Sequence, residues 1–288
     1  MELIKKQKVA VKIVKRVLLY AFMVILGLIL AFPFFLMVSR GLMTTERFSD
    51  AVMHVFPDKI MLSNYIKAFT EFNVYGVNFI QMFVNSVLYT LFGTLMALTS
   101  STLTAYVIAK YKFRIRGFLY GLAIFTMIVP IVGSMPSMYK LVSDLGLKDN
   151  VIFISLLHGG GFGMNFIILH GFFSGISWSY AEAGLMDGAS NWQIFTSIML
   201  PQAKPALVAV GVTTAIGTWN DYLTPFLYLE NQPTLAYGIY YFEKDIQFTY
   251  NYPVLFAGIL LSALPVLIIF MCFQKSIMEN TVAGGLKG

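Results

Sequence analysis

The chain contains 288 residues, 58% hydrophobic and 12% charged, with a net charge of +6 and a mean hydropathy of +0.73. Soluble domains are about 45–50% apolar and about 25% charged, so this composition excludes an ordinary soluble protein and indicates a polytopic membrane protein. The single cysteine, Cys272, excludes a disulfide framework and a cysteine-based metal cluster.

Six membrane-spanning helices are predicted from apolar runs long enough to cross a bilayer. They cover residues 17–38, 82–109, 117–139, 151–173, 206–229 and 253–273. The first resembles the front of a signal peptide, but its apolar core is too long and no small-residue cleavage site follows, so it is expected to remain as a span. The second is too long for a perpendicular crossing and must tilt or begin as an interfacial helix near Asn78.

The predicted fold class is therefore an all-α membrane protein of six transmembrane helices. The spanning domain covers residues 17–274, between a basic N-terminus at residues 1–16 and a tail at residues 275–288. The distribution of Lys and Arg predicts that both termini are cytoplasmic, with thirteen basic residues inside and seven outside. The positive charge thus follows membrane topology and does not indicate a nucleic-acid site. The basic turn at residues 110–116 is interpreted as a topology anchor on anionic headgroups.

The third and fourth predicted spans contain residues that disturb a membrane helix. Pro130 and Pro136 lie in the third, where proline is tolerated beside other protein or a water-filled cavity. A kink that faces a cavity and a kink that only improves packing both remain open. The sequence HGGGFG at residues 158–163 interrupts the fourth span, and broken helices near the midplane are one way to build a transport site.

Polar residues of the fourth span fall on one side of a helix. At about 100° per residue, Ser155, His158 and Asn165 lie within one arc, and such a stripe is expected to face the bundle interior. It would contact a substrate there, or make an ordinary hydrogen bond to a neighbouring helix. His158 and His170 are far apart along the helix and lack nearby carboxylates, so no metal site is predicted.

The fifth predicted span has a polar face and a carboxylate near its outer end. The face is formed by Thr213, Gly217, Asn220 and Thr224. Asp221 is either a functional polar group or, as we prefer, an interfacial residue facing water. The aromatic residues of the loop at 230–252 indicate an interfacial belt, with stacking on a sugar ring as the alternative.

Residues 179–201 differ from the apolar segments on either side of them. Ser179 with Glu182, and Ser190 with Gln193, fit the capping-box pattern that starts a helix. Two short helices are therefore predicted in this segment, which the topology places in the cytoplasm between the fourth and fifth spans.

Turn and stop signals complete that pattern. Asp187-Gly188 is a turn dipeptide between the two predicted helices. The second helix is expected to stop before Pro201.

The sequence contains no catalytic or nucleotide-binding motif. It lacks a G-x-x-x-x-G-K-[ST] phosphate loop and a G-x-S-x-G nucleophile elbow, and no cofactor is expected on this chain. Because the spans are almost free of charge, an ion-coupled carrier is not favoured. The energy for function is expected to come from another subunit.

Residues 179–201, which we call the EAA segment, resemble the EAA loop of ABC importer permeases. The matching positions, from the E-A-A element through a glycine to a final I-x-L-P, are Glu182, Ala183, Gly184, Asp187, Gly188, Ala189, Ile198, Leu200 and Pro201. The resemblance extends over about residues 12–288 and is strongest to the six-span subunit of maltose-type carbohydrate importers. Two departures are Gly184 in place of alanine and Ser177 where proline often stands.

The resemblance implies a type I importer permease fold and one transmembrane subunit of an ATP-driven sugar or oligosaccharide importer in the bacterial cell membrane. The implied partners are a second permease subunit, a substrate-binding protein and two cytoplasmic ATPase subunits, which would hold ATP and Mg. The EAA segment would dock on an ATPase and transmit its closure to the spans, and the tail at residues 284–288 would reach toward the ATPase dimer interface.

Candidate ligand contacts come from helical facing, with the resemblance in support in spans four and five. They are His158, Asn165, Trp219 and Asn220. The alternatives to a permease subunit are an ion-coupled secondary carrier and a membrane-embedded hydrolase. Which sugar is carried is not encoded in a handful of polar side chains.

Overall fold

The computed structural model describes residues 2–50, 54–129, 133–249 and 251–285. Two compact units are present: Met1–Phe69 with Asp245–Leu261, and Thr70–Lys244 with Ser262–Gly288. The described residues are mostly helical, which agrees with the predicted helical membrane-protein class.

The elements are given in chain order. They are α1 (Glu2–Gly41), α2 (Thr45–Ser49), α3 (Ser63–Glu71), β1 (Asn73–Val74), β2 (Val77–Asn78), α4 (Phe79–Lys110), α5 (Arg116–Ile128), α6 (Ser134–Asp144), α7 (Val151–Leu156), α8 (Met164–Gly175), α9 (Ser179–Met186), α10 (Asn191–Gln193), a π-helix (Ile194–Met199), α11 (Leu200–Gln202), α12 (Lys204–Trp219), α13 (Leu223–Tyr228), α14 (Leu235–Thr249) and α15 (Tyr252–Gly285).

In the first unit, the C-terminal end of α1 is closed by a buried amide. The Asn64 side chain donates from Nδ2 to the carbonyl oxygens of Gly41 (3.0 Å) and Met43 (2.9 Å). Carbonyls at a helix end have no partner within the helix, so this amide satisfies acceptors that would otherwise be buried unpaired.

In the second unit, a short hairpin leads into α4. Strands β1 and β2 pair antiparallel through a turn in which Tyr75 and Gly76 have φ of 52° and 87°, the left-handed pair that suits the twist of a two-residue hairpin loop. Asn78 and Gln81 then form a capping box, with N–H to side-chain oxygen distances of 3.0 and 3.2 Å. The second predicted span therefore starts at Phe79 as one continuous helix.

Helix α4 is the central helix of the second unit and packs against α7, α8 and α12. Its buried face is rich in small residues: Gly93, Ala97, Ser101 and Ala105 are all buried. Small side chains allow helices in a membrane to approach closely, which explains how three elements share one side of α4.

Three described helices are long and apolar enough to cross a membrane: Lys12–Gly41, Phe79–Lys110 and Tyr252–Lys275. Helices Asn191–Gln202 and Lys204–Trp219 would supply a fourth span if the pair, bent by 75°, is counted as one. The first, second and sixth predicted spans thus correspond to continuous helices. The other three are divided in the structure.

The third predicted span, 117–139, is not one helix. Helix α5 ends at Ile128, and α6 begins after Gly133, whose φ is +101°. Pro136 lies in the first turn of α6, where a missing N–H breaks no intrahelical bond, so it does not kink a continuous helix. Pro130 lies outside the described residues.

The fourth and fifth predicted spans are also divided. The expected interruption at residues 158–163 is confirmed, because α7 ends at Leu156 and α8 starts at Met164. The fifth span, predicted as one segment over 206–229, instead ends as a helix at Trp219 and resumes at Leu223.

Candidate functional site

The Asp-Gly turn of the EAA segment ends α9 in a Schellman motif. The N–H of Gly188 donates to the carbonyl of Leu185 (3.0 Å), and the N–H of Ala189 donates to that of Gly184 (2.9 Å). Gly188 has φ +81°, a conformation that glycine adopts without steric cost. The predicted turn is therefore confirmed, and its geometry explains why glycine stands at this position.

The second helix of the EAA segment starts as predicted but ends later. Ser190 and Gln193 form the expected capping box, with N–H to side-chain oxygen distances of 2.8 and 3.3 Å. However, α10, the π-helix and α11 follow without a gap, and Pro201 lies inside α11. A proline in an α-helix clashes with the carbonyl four residues earlier, and the π-helix removes that α-type register just before Pro201.

The predicted capping box at the start of α9 is wrong. Trp178 is the N-cap and is already helical, with φ −70° and ψ −19°. Ser179 therefore lies inside the first turn, and its N–H donates to Oγ of Ser177 at 3.3 Å. Ser177, the residue that departs from the family pattern, supplies this acceptor, while Glu182 is exposed.

The EAA segment is anchored through one face. Buried residues of this segment join a hydrophobic cluster with residues of α4 and α8. The members from the EAA segment are Ala181, Ile194, Phe195 and Met199, and the members from α4 and α8 include Ala105, Tyr106, Ile108, Phe166, Leu169 and Phe173. A displacement of this segment would therefore shift the side chains of α4 and α8 that pack against it.

The nine predicted coupling residues divide between the two sides of the segment. Exposed positions are Glu182, Ala183, Asp187, Gly188 and Pro201. Gly184 is buried, and Ala189, Ile198 and Leu200 pack against the cluster. Four of the nine thus support the segment from within and do not present a surface to a partner.

The most exposed large apolar side chains of the EAA segment were missed by the sequence analysis. Met186 is 89% exposed and Trp192 is 65% exposed, on either side of the turn. Their presence in a polar segment bounded by a turn was the signal that could have identified them, because large exposed apolar groups are candidates for an interaction surface.

The basic turn at residues 110–116 contacts the protein as well as facing solvent. The ammonium group of Lys110 donates to the carbonyl of Ile176, just after α8, and Arg116 donates to the carbonyl of Ala109 (3.2 Å) at the end of α4. Cations at helix C-termini satisfy carbonyls and oppose the helix dipole. This turn therefore also fixes the backbone that leads into the EAA segment.

A second candidate site lies where α7 and α8 are interrupted. Gly161 and Gly163 have φ of +70° and +131°, and the carbonyl of Gly161 accepts from the hydroxyl of Thr104 on α4 at 2.7 Å. The glycines allow the backbone to unwind, and the threonine pairs one of the carbonyls that unwinding releases.

Polar groups from three elements meet beside this interruption, at what we call the polar junction. The Tyr89 hydroxyl donates to Oδ2 of Asp221 at 2.9 Å, and the N–H of Thr224 donates to Oδ1 at 3.1 Å. Nε2 of His158 lies 3.8 Å from Oδ2, and the rings of Tyr89 and His158 meet edge to face at 5.2 Å. Asp221 is thus paired inside the protein, and the preferred interpretation of a water-facing carboxylate is wrong.

A glycine on α4 makes room for the polar junction. A Cβ at Gly93 would lie 3.2 Å from Cγ2 of Thr218, 3.4 Å from Nδ1 of His158 and 3.5 Å from the carbonyl oxygen of Ser155. The absence of a side chain at Gly93 therefore lets α12 and the end of α7 approach the same point of α4.

The four predicted ligand contacts do not form one surface. Because the helix is broken, Asn165 does not continue an arc with His158, and its Nδ2 donates to the hydroxyl of Thr214 at 2.9 Å. Trp219 is buried and donates from Nε1 to the carbonyl of Ser262 at 3.1 Å, so it packs in the interior.

Asn220 is exposed just after α12. Its side-chain amide donates to the carbonyl of Ile216 at 2.8 Å and closes the helix end. The residues that contact His158 are instead Asp221 and Tyr89, which the sequence analysis did not select as ligand contacts.

Comparison with known proteins identifies the family to which the sequence is similar. Residues 97–278 match the model of the binding-protein-dependent transport system inner membrane component family. The chain is 28% identical to a probable starch degradation products transport system permease protein of Thermoanaerobacterium thermosulfurigenes, over 95% of this chain and 98% of that protein. It is also 28% identical to an arabinooligosaccharides transport system permease protein of Bacillus subtilis, over 96% and 97% of the two chains.

A solved structure has the same fold. A chain of a bacterial ABC transporter involved in the import of the acidic polysaccharide alginate superposes with a TM-score of 0.74 at 26% identity, covering 91% of this chain and 96% of that one. The relatives are permease subunits, which are transport components and not enzymes. Because the family match covers more than half of the sequence, the chain belongs to the family of binding-protein-dependent transport system inner membrane components.

Proposed function

We propose that this chain is one of two different permease subunits of an ATP-driven importer for a sugar or oligosaccharide. The named relatives support the substrate class, since they carry starch degradation products, arabinooligosaccharides and alginate. The single observation that carries the coupling role is the two-sided EAA segment. Its inner face is buried against α4 and α8, while Met186 and Trp192 project outward.

This arrangement suits the transmission of movement. A partner that binds the outer face moves the EAA segment, and the buried inner face carries that movement into the membrane helices. The partner we propose is an ATPase subunit, present in two copies, that holds ATP and Mg, whereas this chain binds no cofactor.

The remaining parts of the proposal follow from charge and topology. Six spans, with both termini and the EAA segment in the cytoplasm, account for the thirteen basic residues on the inner side. A substrate-binding protein delivers sugar on the opposite side, lipids surround the spans, and no nucleic acid takes part. Among the predicted ligand contacts, His158, Asn165 and Asn220 remain candidates for the translocation path. Trp219 is set aside because it is buried.

Copurification tests the docking role. The importer is expressed with its partner subunits, solubilised and recovered through a tag on this chain, and the bound ATPase is quantified. The double variant M186A/W192A is expected to recover at least about tenfold less ATPase than the wild type. Central apolar contacts each contribute about 2 kcal/mol or more at such interfaces. The matched control is I128A, an equally apolar and exposed position on α5.

The same preparation separates the proposal from its alternative. In liposomes the importer should take up sugar only with ATP. Uptake driven by an ion gradient without ATP, by a protein that recovers no ATPase, would show an ion-coupled carrier. Full ATPase recovery by M186A/W192A would remove the docking role from this face of the EAA segment.

A further inference from the structure

The polar junction brings a ring nitrogen of His158 to within 3.8 Å of a carboxylate oxygen of Asp221. Nδ1 of His158 lies 3.1 Å from the carbonyl oxygen of Ser155. A carbonyl only accepts, so this contact assigns the ring proton to Nδ1. In a neutral imidazole the other nitrogen then carries a lone pair. In the neutral form of the ring Nε2 of His158 is then an acceptor, and it lies 3.8 Å from Oδ2 of Asp221.

The carboxylate is held in one orientation. Tyr89 donates to Oδ2 and the Thr224 N–H donates to Oδ1, so both oxygens are fixed by neighbouring groups. Within the described residues both donors bond to the carboxylate and not to Nε2 of His158, so the pair is preorganised to receive donors from a third molecule. The two side chains keep 24% and 21% of their surface exposed, which leaves an approach open.

We propose that Nε2 of His158 and Oδ2 of Asp221 form a paired-acceptor site for hydroxyl groups of the transported carbohydrate, with Tyr89 as the residue that positions the carboxylate. The proposal rests on the proposed function. Two adjacent hydroxyl groups of a sugar ring supply two donors, one for each acceptor. Asn220, exposed beside Asp221, adds an amide that can donate or accept at the edge of the same site.

The interruptions of the helices give this site its place in the fold. His158 starts the unwound segment between α7 and α8, and Asp221 lies in the gap between α12 and α13. Sugar bound to both acceptors therefore links two segments that the helices themselves leave unconnected, and its release frees them to separate.

The 15N NMR signals of His158 distinguish a protonated ring nitrogen from an unprotonated one. The importer is assembled with this chain alone labelled with 15N-histidine, and H158Q assigns one of its three histidines. The probe is whichever of maltotriose, arabinotriose and an alginate trimer the importer takes up best. We expect one protonated and one unprotonated ring nitrogen for His158, and a shift of the unprotonated signal when the probe is added. Two protonated nitrogens without sugar, or an unprotonated signal that the probe leaves unmoved, would overturn the proposal.

Transport kinetics test the contribution of each acceptor. D221N is expected to raise KM for the probe by about tenfold or more, because a hydrogen bond to a charged group contributes at least that much to affinity. H158Q is expected to raise KM by about two- to tenfold, as for a neutral hydrogen bond, and both variants should keep kcat close to the wild-type value. Y89F is expected to raise KM less. The matched control is D149N, whose carboxylate contacts Asn231 away from the polar junction and whose KM should not change.

The outcomes distinguish this site from the function on which it rests. If the wild-type importer takes up no sugar or oligosaccharide with ATP, both proposals fall. If it takes up a probe and both H158Q and D221N keep the wild-type KM, the paired-acceptor site alone is overturned. If a variant does not assemble, the NMR titration of the wild-type importer decides the question.

Discussion

Gly184 and Ile198 lie against each other across the two helices of the EAA segment. A Cβ at Gly184 would lie 2.7 Å from Cδ1 of Ile198 and 3.3 Å from Cγ1 of Ile194. The family pattern has alanine at this position, and this chain has glycine facing two isoleucines. The departure is therefore a matter of internal packing, and not of the surface that meets a partner.

We predict that G184A changes the thermal stability of the purified protein only slightly, within about 1 kcal/mol, because the helix propensity that alanine gains offsets the movement of a flexible isoleucine end. G184L should lower stability by about 1–3 kcal/mol through overpacking. Thermal melting of the solubilised protein measures both.

The control for G184L is A183L, which adds the same side chain to the exposed neighbouring position. A183L should melt like the wild-type protein but recover less ATPase. A G184L protein that melts like the wild type would show that the two helices of the EAA segment do not pack as described.

Substitutions at Gly188 should introduce backbone strain without a steric clash. A Cβ at this position meets nothing within 4 Å, so a substitution costs only the energy of placing a side chain at φ +81°. That cost is about 1–2 kcal/mol for ordinary residues and smaller for asparagine. Stability and uptake should fall in the order Gly188, G188N, G188A, G188V. An alanine variant equal to the wild type would contradict the left-handed turn.

The hydrogen bond between Asn165 and Thr214 ties α8 to α12 and is suited to a double-mutant cycle. We predict a coupling energy of about 0.6 kcal/mol, the average for hydrogen bonds between membrane helices, from the melting of N165A, T214V and the double variant. A coupling energy near zero would leave Asn165 available as a ligand contact.

Trp219 should behave as a structural residue. W219F keeps an aromatic ring but removes the Nε1 donor to the carbonyl of Ser262 and part of the buried ring volume. Stability should therefore fall by at least about 1 kcal/mol, while KM for the transported sugar stays unchanged. The comparison is N220A, at the adjacent exposed position. A raised KM in W219F with unaltered melting would return Trp219 to the translocation path.

Local signals predicted much of the helical framework. The box of Ser190 with Gln193, the turn at Gly188 and the interruption at residues 158–163 each depend on a few neighbouring residues, and all three are present in the structure. The predicted start of α9 was wrong because the backbone at Trp178 is already helical, and the spacing of the serines does not indicate this.

The polar junction could not be predicted for a different reason. Tyr89 and Asp221 are 132 residues apart in sequence, and each alone fits an ordinary explanation: an interfacial tyrosine, and a carboxylate at a span end. Only the tertiary packing around Gly93 brings them to His158. The end of the second helix of the EAA segment was likewise wrong, because a π-helix before Pro201 has no sequence signal as plain as a cap.

The 75° angle between Asn191–Gln202 and Lys204–Trp219 determines how far a small rotation of the first helix displaces the end of the second. The two helices form a bent lever whose short arm carries Trp192 and whose long arm, of 16 residues, extends about 24 Å at the rise of an α-helix. A rotation of about 10° at the elbow would move the far end of the long arm by about 4 Å, by the same helix length. That end adjoins Asp221, so a modest tilt at one side of the protein would become a side-chain-sized displacement at the other.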